Sequence, residues 1–444
     1  MGNTPAIGKA AAGRLAALRA LLLDAHQRLG LKFGIRLWDG GLIPADWPED
    51  GLRIAIRDEA VITALLRKPR LDTLLQAYVA DRADIENGSL FDLAAARPEA
   101  RPGNKLKHIA GELGYFRLAR TAARFLLAPA APPAAAEGVT GDGTMRDGRP
   151  ETNKANIAYH YDVSNEFYQL FLDEQMLYSC AYFTEDHGDI DRAQRDKLDM
   201  ICRKLRLKPG ERFLDIGCGW GALVCHAAEH YGVQATGVTL AVEQLKTARA
   251  RVEQRGLQSR VTLALQDYSK LEGEFDKIAS IGMFEHVGIK NHPDYFRAVH
   301  RLLRPRGLYL HHAITRPAKK TDRSFNRLKP EYRAVIRYIF PGAELDHIGM
   351  SAANLERFKF EVHDVEAWRE HYQRSTRAWW ERLNARRDEA EKIVGKEKTR
   401  MWLLYLAGCS LGFERSTINI FQTLASKRAK GASGLPLTRA GLYG

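Results

Sequence analysis

Two stretches of the 444-residue chain gather residue types that do chemistry. The first is FLDIGCGWG, residues 213–221, where an apolar run ends in Asp215 and Gly217, Gly219 and Gly221 follow at alternate positions. Glycines so placed permit a tight turn and let backbone amides approach a ligand closely. A dinucleotide site would read GxGxxG, with an acidic residue about 20 positions on. Here the spacing is GxGxG and the second strand ends in Thr239, which is the wrong form for that class of ligand. The third strand ends in LQDY, which leaves Asp267 and Tyr268 at its tip. The second stretch is SIGMFEHVGIK, residues 280–290, an apolar run interrupted by Glu285 and His286. A lone carboxylate there is most often a solvated loop residue. Whether Glu285 is more depends on what the fold brings to the same strand end.

The elements that must position these residues alternate. ERFLDIG, VQATGVTL, VTLALQD, DKIASIGMFE and LYLHHAIT read as strands. WGALVCHAAEHYG and AVEQLKTARARVEQRG read as helices stopped by Gly232 and Gly256, and DYFRAVHRLLRPRG as a helix closed by Pro and Gly. INIFQTLASK is a later strand. This alternation predicts a doubly wound α/β sheet with its ligand site at the strand C-termini. Residues 128–150, rich in Ala, Pro and Gly, read as a flexible linker. The linker divides the chain into an N-terminal α+β domain over 1–127 and a catalytic domain over 151–444. In the first domain a helix is expected over about Leu15 to Leu29, strands near LKFGIRLWDG and GLRIAIRD, and helices over Glu59–Phe91 and Gly111–Leu127. No catalytic constellation is visible there.

Composition sets outer bounds. At 45% hydrophobic and 27% charged residues the chain is globular in type. No run of 18 apolar residues occurs, so no transmembrane helix is expected. The apolar N-terminal segment is interrupted by Arg14, Arg19 and Asp24 and reads as an amphipathic helix rather than a signal peptide. Five scattered cysteines without a CxxC pair argue against a disulfide framework and structural zinc, and for a reducing compartment. Cys202 and Cys225 read as core residues. A formal charge of +13 implies an anionic partner, and basic residues concentrate over Arg316–Arg337. No nucleic-acid motif accompanies them, which favours an anionic membrane surface over nucleic acid.

The pattern Asp-h-Gly-x-Gly-x-Gly resembles motif I of class I S-adenosylmethionine-dependent methyltransferases. Residues 153–183 (NKANIAYHYDVSNEFYQLFLDEQMLYSCAYF), GMFEHVG, LYLHHAIT, YIFPGAEL and HYQRSTRAWW then follow the pattern of the cyclopropane-fatty-acyl-phospholipid synthases and mycolic acid cyclopropane synthases. The resemblance covers about 151–426. It implies a class I methyltransferase (Rossmann-like) doubly wound sheet with a late antiparallel strand, preceded by the small α+β domain. It also implies S-adenosylmethionine as methyl donor and a bound bicarbonate ion as base. In that chemistry the sulfonium methyl is transferred to a cis alkene, a carbocation forms, and a proton leaves the new methyl group so that the ring closes. Water must be kept out of such a pocket.

Carried over residue by residue, the resemblance places Cys180, Glu285, His312, the backbone of Ile314 and Tyr372 around the bicarbonate. Glu285 would accept from the ion's OH, with His312 and Tyr372 as donors. Tyr161, Tyr178 and Ser179 fall at the methionine end of the cofactor and Asp267 at the adenine. Gln244 falls at the ribose, with Asp215, Gly217, Gly219, Gly221, Thr239 and Tyr268 completing that site. His311 should face away from His312 on the strand, and His286 is expected to be structural. Cys409 is expected to pack near the pocket. Two departures stand out: Ala241 replaces a serine before Gln244, and AELDHIG replaces the family's Gly-x-Leu-Pro-Ser. The expected partner is a phospholipid bilayer with unsaturated acyl chains, met peripherally at the inner membrane by a cytoplasmic homodimer. The enzymatic alternatives are a relative that stops at a methyl- or methylene-branched fatty acid, or one acting on another hydrophobic substrate. A lipid- or cofactor-binding protein without catalysis is a further alternative.

Overall fold

A computed structural model describes residues 9–96, 115–127, 164–185, 188–330, 332–333, 339 and 343–443. The 128–150 linker and Tyr161 lie outside the described residues. The chain divides into two compact units, 1–140 and 141–444.

In the first unit, α1 (Lys9–Leu29) packs against a four-stranded sheet of order β2-β1-β3-β4. The strands are β1 (Gly34–Arg36), β2 (Leu42–Ile43), β3 (Arg53–Ile56) and β4 (Ala83–Glu86). Leu15 and Leu18, one helical turn apart, join Ile35, Leu37, Ile43, Ile62 and Phe125 in the core. The sequence predicts helical segments over 59–91; α2 (Glu59–Arg67), α3 (Leu71–Val79) and α4 (Leu90–Ala95) are such segments, but β4 stands before the last of them. The reason is tertiary. Asp81 and Asn87 take left-handed backbone angles (φ 57° and 56°) at either end of ADIE. That run then pairs antiparallel with β3, Arg53 opposite Glu86. A fifth helix, α5 (Tyr115–Leu126), completes the unit.

The second unit is a seven-stranded sheet of order β10-β11-β9-β8-β5-β6-β7. A short helix, α6 (Asn165–Gln169), and the long α7 (Ile190–Lys204) precede it. Strands β5 (Arg212–Ile216), β6 (Gln234–Thr239), β7 (Val261–Leu265), β8 (Phe275–Ile281) and β9 (Leu303–Thr315) run parallel. Helices α8 (Ala222–Tyr231), α9 (Val242–Gln254) and α10 (His292–Leu302) cross between them. The order reverses at β5, which lies between β6 and β8, so the ligand crevice is expected at its C-terminal end. The late strand β11 (Asn419–Lys427) runs antiparallel to β9 and to β10 (Phe360–Ala367).

Two features depart from the sequence reading. The helix expected to reach Gly307 ends at Leu302, and Arg304–Gly307 belong to β9. Leu303 pairs with Phe275, and a bulge before Lys277 absorbs the extra residues, including Pro305, which has no N–H to give. Strand β10 was not expected: it is a polar edge strand whose alternation is broken by a bulge between Val362 and Asp364. A short helix, α11 (Asp322–Asn326), then α12 (Ile348–Arg357), and the packed pair α13 (Arg369–Ala385) and α14 (Lys396–Glu414) complete the described elements used below.

Candidate active site

The C-terminal ends of β5 to β8 open into a cavity of about 830 Å³, within the range of cofactor sites. Tyr178, Ser179, Asp215, Gly217, Gly219, Thr239, Gln244, Asp267 and Tyr268 line it. Gly217 needs its freedom: φ is 84°, and a Cβ would stand 2.9 Å from Met283 Cβ and Cγ. Thr239 Oγ1 lies 3.1 Å from Gln244 Oε1 and accepts from the Ala241 amide at 3.2 Å. The loss of a serine hydroxyl at 241 thus leaves the turn itself intact. Asp267 caps the following 3-10 turn, accepting from the Ser269 amide at 2.8 Å. Gly221 is the exception. It does not line the cavity; it begins α8 at φ 81°, and a Cβ there would meet Ala248 Cβ of α9 at 3.0 Å. Its role here is helix packing. His286, expected to be structural, lines the cavity, and burial pushes its imidazole down to about 4.

Sequence reasoning missed α7, the helix that holds the cavity wall. Gln194 donates to the carbonyls of Leu177 (3.2 Å) and Ser179 (3.0 Å). Lys197, 1% exposed, donates to Ser179 Oγ at 2.8 Å. Burial pushes its ammonium down to about 8, opposed chiefly by the charge of Asp173. Opposite in chemistry is Asp215, whose Oδ1 is buried without a partner and whose carboxyl burial raises to about 7. The available signal was polar residues on the buried stripe of an amphipathic helix.

A second constellation sits at the end of β9. Glu285 follows β8 in a 3-10 turn rather than ending the strand. Its Oε1 accepts from the Ile314 amide at 2.6 Å, and its Oε2 is buried with no partner. Burial pushes the carboxyl up to about 7; the Ile314 amide opposes this and the charge of Asp346 adds to it. Asp346 is itself buried, holds Ser351 Oγ at 2.6 Å through Oδ2, and has an unpartnered Oδ1. It lies in the AELDHIG departure, where the family pattern gives no carboxylate.

His312 has its proton fixed by a row across the sheet. Glu366 on β10, Gln422 on β11 and His312 on β9 stand opposite one another in register. Lys204 from α7 bonds Glu366 and donates to Gln422 Oε1 at 2.8 Å. With Oε1 accepting, the amide nitrogen donates to His312 Nδ1 at 2.9 Å. Nδ1 is then the acceptor and Nε2 carries the hydrogen, buried and without a partner. Burial, with Lys197 and Lys204 nearby, holds the ring pKa well below its usual value, so the ring is a neutral donor. His311 faces the other side, bonded to Tyr309 OH at 2.9 Å.

Cys180, His312 and Tyr372 gather around Trp368, a residue not singled out from sequence. The Cys180 thiol lies 3.8 Å from its carbonyl, the Tyr372 amide donates to that carbonyl at 3.0 Å, and His312 meets its ring edge-on at 5.2 Å. Burial pushes the Cys180 thiol well up, which keeps it protonated. Glu285 Oε2 is a buried unpaired acceptor, and His312 Nε2 and Trp368 Nε1 are buried unpaired donors. These fit a small oxyanion bearing one OH. The Ile314 amide, expected to face the same ion, donates to Glu285 Oε1 in this structure. Around the set, Tyr168, Phe171, Tyr178, Trp379 and Trp402 form an aromatic cluster with ring centroids 5.3–6.4 Å apart. Partly buried Cys409 packs against this cluster.

A parallel sheet with a glycine turn at its switch point and this cavity define a class I S-adenosylmethionine-dependent methyltransferase. Residues 149–423 match the family described as mycolic acid cyclopropane synthetase, and the chain belongs to that family. A probable fatty acid methyltransferase of Pseudomonas putida is 38% identical over 96% of this chain and 99% of its own. The cyclopropane-fatty-acyl-phospholipid synthase of Escherichia coli is 40% identical over 63% of this chain and 69% of its own. A mycolic acid cyclopropane synthase solved with S-adenosylhomocysteine and CTAB superposes with a TM-score of 0.59 at 32% identity, over 62% of this chain and 98% of that one.

Proposed function

We propose that this protein transfers the methyl carbon of S-adenosylmethionine to the cis double bond of a phospholipid acyl chain and closes a cyclopropane ring. S-adenosylmethionine supplies an electrophilic methyl group, and bicarbonate, where bound, supplies a base. The rest is the work of the chain. The cavity at β5–β8 takes the donor, with Asp215 and Asp267 at opposite ends of the family pattern. The aromatic cluster excludes water from a reacting cation and offers ring faces to it, worth about 0.5–2 kcal/mol each.

The observation that carries the reading is a buried, unpaired Glu285 Oε2, its Oε1 bonded to the Ile314 amide of β9, the strand that also carries His312, locked as a neutral donor. An orphaned buried carboxylate oxygen costs free energy unless a ligand satisfies it. Ring closure requires a base that takes its proton from the transferred methyl group, whereas a branched unsaturated product loses its proton from a neighbouring carbon; a base held by Glu285 and His312 would serve the first.

A second reading is a fatty-acyl methyltransferase that leaves a branched chain. It is favoured by the full-length relative in Pseudomonas putida and by the Ile314 amide being occupied by Glu285. Incubation with S-adenosylmethionine and vesicles of cis-monounsaturated phospholipid, beside Glu285→Gln, tests both. Gain of one CH₂ with loss of the alkene, absent in the variant, supports ring closure. Retained unsaturation supports the second reading, and no transfer to any vesicle contradicts the acyl substrate.

The chain has no helix, among the described residues, long and apolar enough to cross a membrane. Access to acyl chains therefore calls for docking on the bilayer. Lys319, Lys320, Arg323 and Arg327 are exposed and fit an anionic surface, as does the net charge of +13. A homodimer at the cytoplasmic face of the inner membrane remains part of this proposal.

A further inference from the structure

Lys197 is a buried cation in the wall of the cofactor cavity, and its ammonium is underused. Among the described residues Nζ donates to one group, Ser179 Oγ at 2.8 Å. An ammonium has three hydrogens to give, and Ser179, its acceptor, keeps its own hydroxyl hydrogen to donate onward. No carboxylate among the described residues closes on Nζ within ion-pair distance, although Asp173 and Asp215 stabilise its charge from farther off. Asp173 is engaged elsewhere, accepting from the Gln175 and Leu177 amides at 2.8 Å each. A cation 1% exposed with unused hydrogens is costly unless an anion arrives.

The same cavity holds the converse defect. Asp215 is 3% exposed and its Oδ1 has no partner. One side chain therefore lacks acceptors for its donors and a neighbouring one lacks a donor for its acceptor. A ligand carrying both an ammonium and a carboxylate two bonds apart on one carbon repairs both at once, and that is the head group of an α-amino acid.

We infer that Lys197, with the Ser179 hydroxyl, binds the carboxylate of the cofactor's amino-acid head, while Asp215 binds its ammonium. This rests on the cofactor reading of the cavity and assigns a residue that the family resemblance did not. A planar anion of the same chemistry, bicarbonate, is the competing occupant of Lys197.

The test is binding, measured by calorimetry with two probes that cannot turn over. One is S-adenosylhomocysteine, and the other is its analogue lacking the carboxyl group, 5′-S-(3-aminopropyl)thioadenosine. In the wild-type protein the analogue should bind roughly ten- to a hundredfold more weakly, the range for a charge-assisted hydrogen bond. In Lys197→Met, and independently in Lys197→Gln, that preference should collapse to about two- to threefold or less. Lys197→Arg should restore part of it.

Equal binding of the two probes to wild-type protein overturns the proposal without any variant. A preference that survives in Lys197→Met or Lys197→Gln also overturns it and leaves Lys197 as a partner of Asp215 alone. So does an unchanged preference accompanied by a raised bicarbonate requirement for turnover, which assigns the lysine to that ion. Failure of the wild-type protein to bind either probe counts instead against the cofactor reading.

Discussion

Glu285, Asp215 and Asp346 keep their protons up to about pH 7 in the folded chain because burial disfavours their charge. Unfolded, they lose them near pH 4. Their folded pKa values are raised, so their contribution to stability is full below about pH 4 and is lost as pH rises through 7. Glu285→Gln removes one such group. Relative to wild type, the variant should gain about 1–3 kcal/mol more at pH 8 than at pH 5 in urea unfolding. A difference independent of pH would mean that Glu285 is not buried as described. Activity has the opposite sign. Accepting from an OH needs the ionised carboxylate, so turnover should rise through about pH 7, and Asp346→Asn should move that midpoint down.

The His312 tautomer is a second residue-scale claim. Gln422→Glu keeps shape but turns the Nδ1 partner into an acceptor, which moves the hydrogen from Nε2 to Nδ1. Turnover should fall roughly a hundredfold or more, as for loss of one aligned donor. The ring ¹⁵N shifts of one histidine should exchange at the same time. Unaltered shifts would show that Gln422 does not set the tautomer. The glycines, Asp215, Glu285 and His312 were legible because motif spacing names them. Lys197, Lys204 and Gln422 were not, because a polar residue at helix or strand spacing looks solvated until its neighbours are known.

At the scale of elements, α7 ties both sites together. Gln194 and Lys197, one turn apart, hold the Leu177–Ser179 segment, and Lys204, two turns further, reaches the Glu366–Gln422–His312 row. The glycine turn after β5 is the other rigid part. Gly217→Ala places a methyl against Met283 at a left-handed backbone angle. It should cost about 1–3 kcal/mol and weaken S-adenosylhomocysteine binding at least tenfold. Binding and stability both unchanged would contradict the close fit. The alternating α/β pattern of the second unit was readable because its parallel strands carry short apolar runs, such as FLDI and LYL, between helices stopped by glycine. Strands β4 and β10 escaped notice for a physical reason: one is four residues long, the other is a bulged polar edge, and neither carries a hydrophobic period.

At the scale of the molecule, the positive charge is where sequence and structure diverge in detail. Arg316 opens the basic run, yet its guanidinium bonds the carbonyls of Leu345 and Phe325 and stacks on the Phe325 ring at 3.5 Å. It is a structural residue, and no sequence pattern distinguishes it from the exposed Lys319, Lys320 and Arg323. Replacing those three with Gln should weaken binding to anionic vesicles by about 3 kcal/mol at low salt. Arg316→Gln should lower stability instead. Sedimentation with vesicles across a salt series separates the two effects, and equal losses in both variants would contradict the division.

The central claim is that a proton leaves the transferred methyl group. The most direct test uses S-adenosylmethionine carrying a trideuterated methyl, with mass spectrometry of the product acyl chain. Ring closure predicts that two of the three deuterons remain and that the alkene is gone. Retention of all three on a branched chain would contradict it and would make this family member a fatty-acyl methyltransferase.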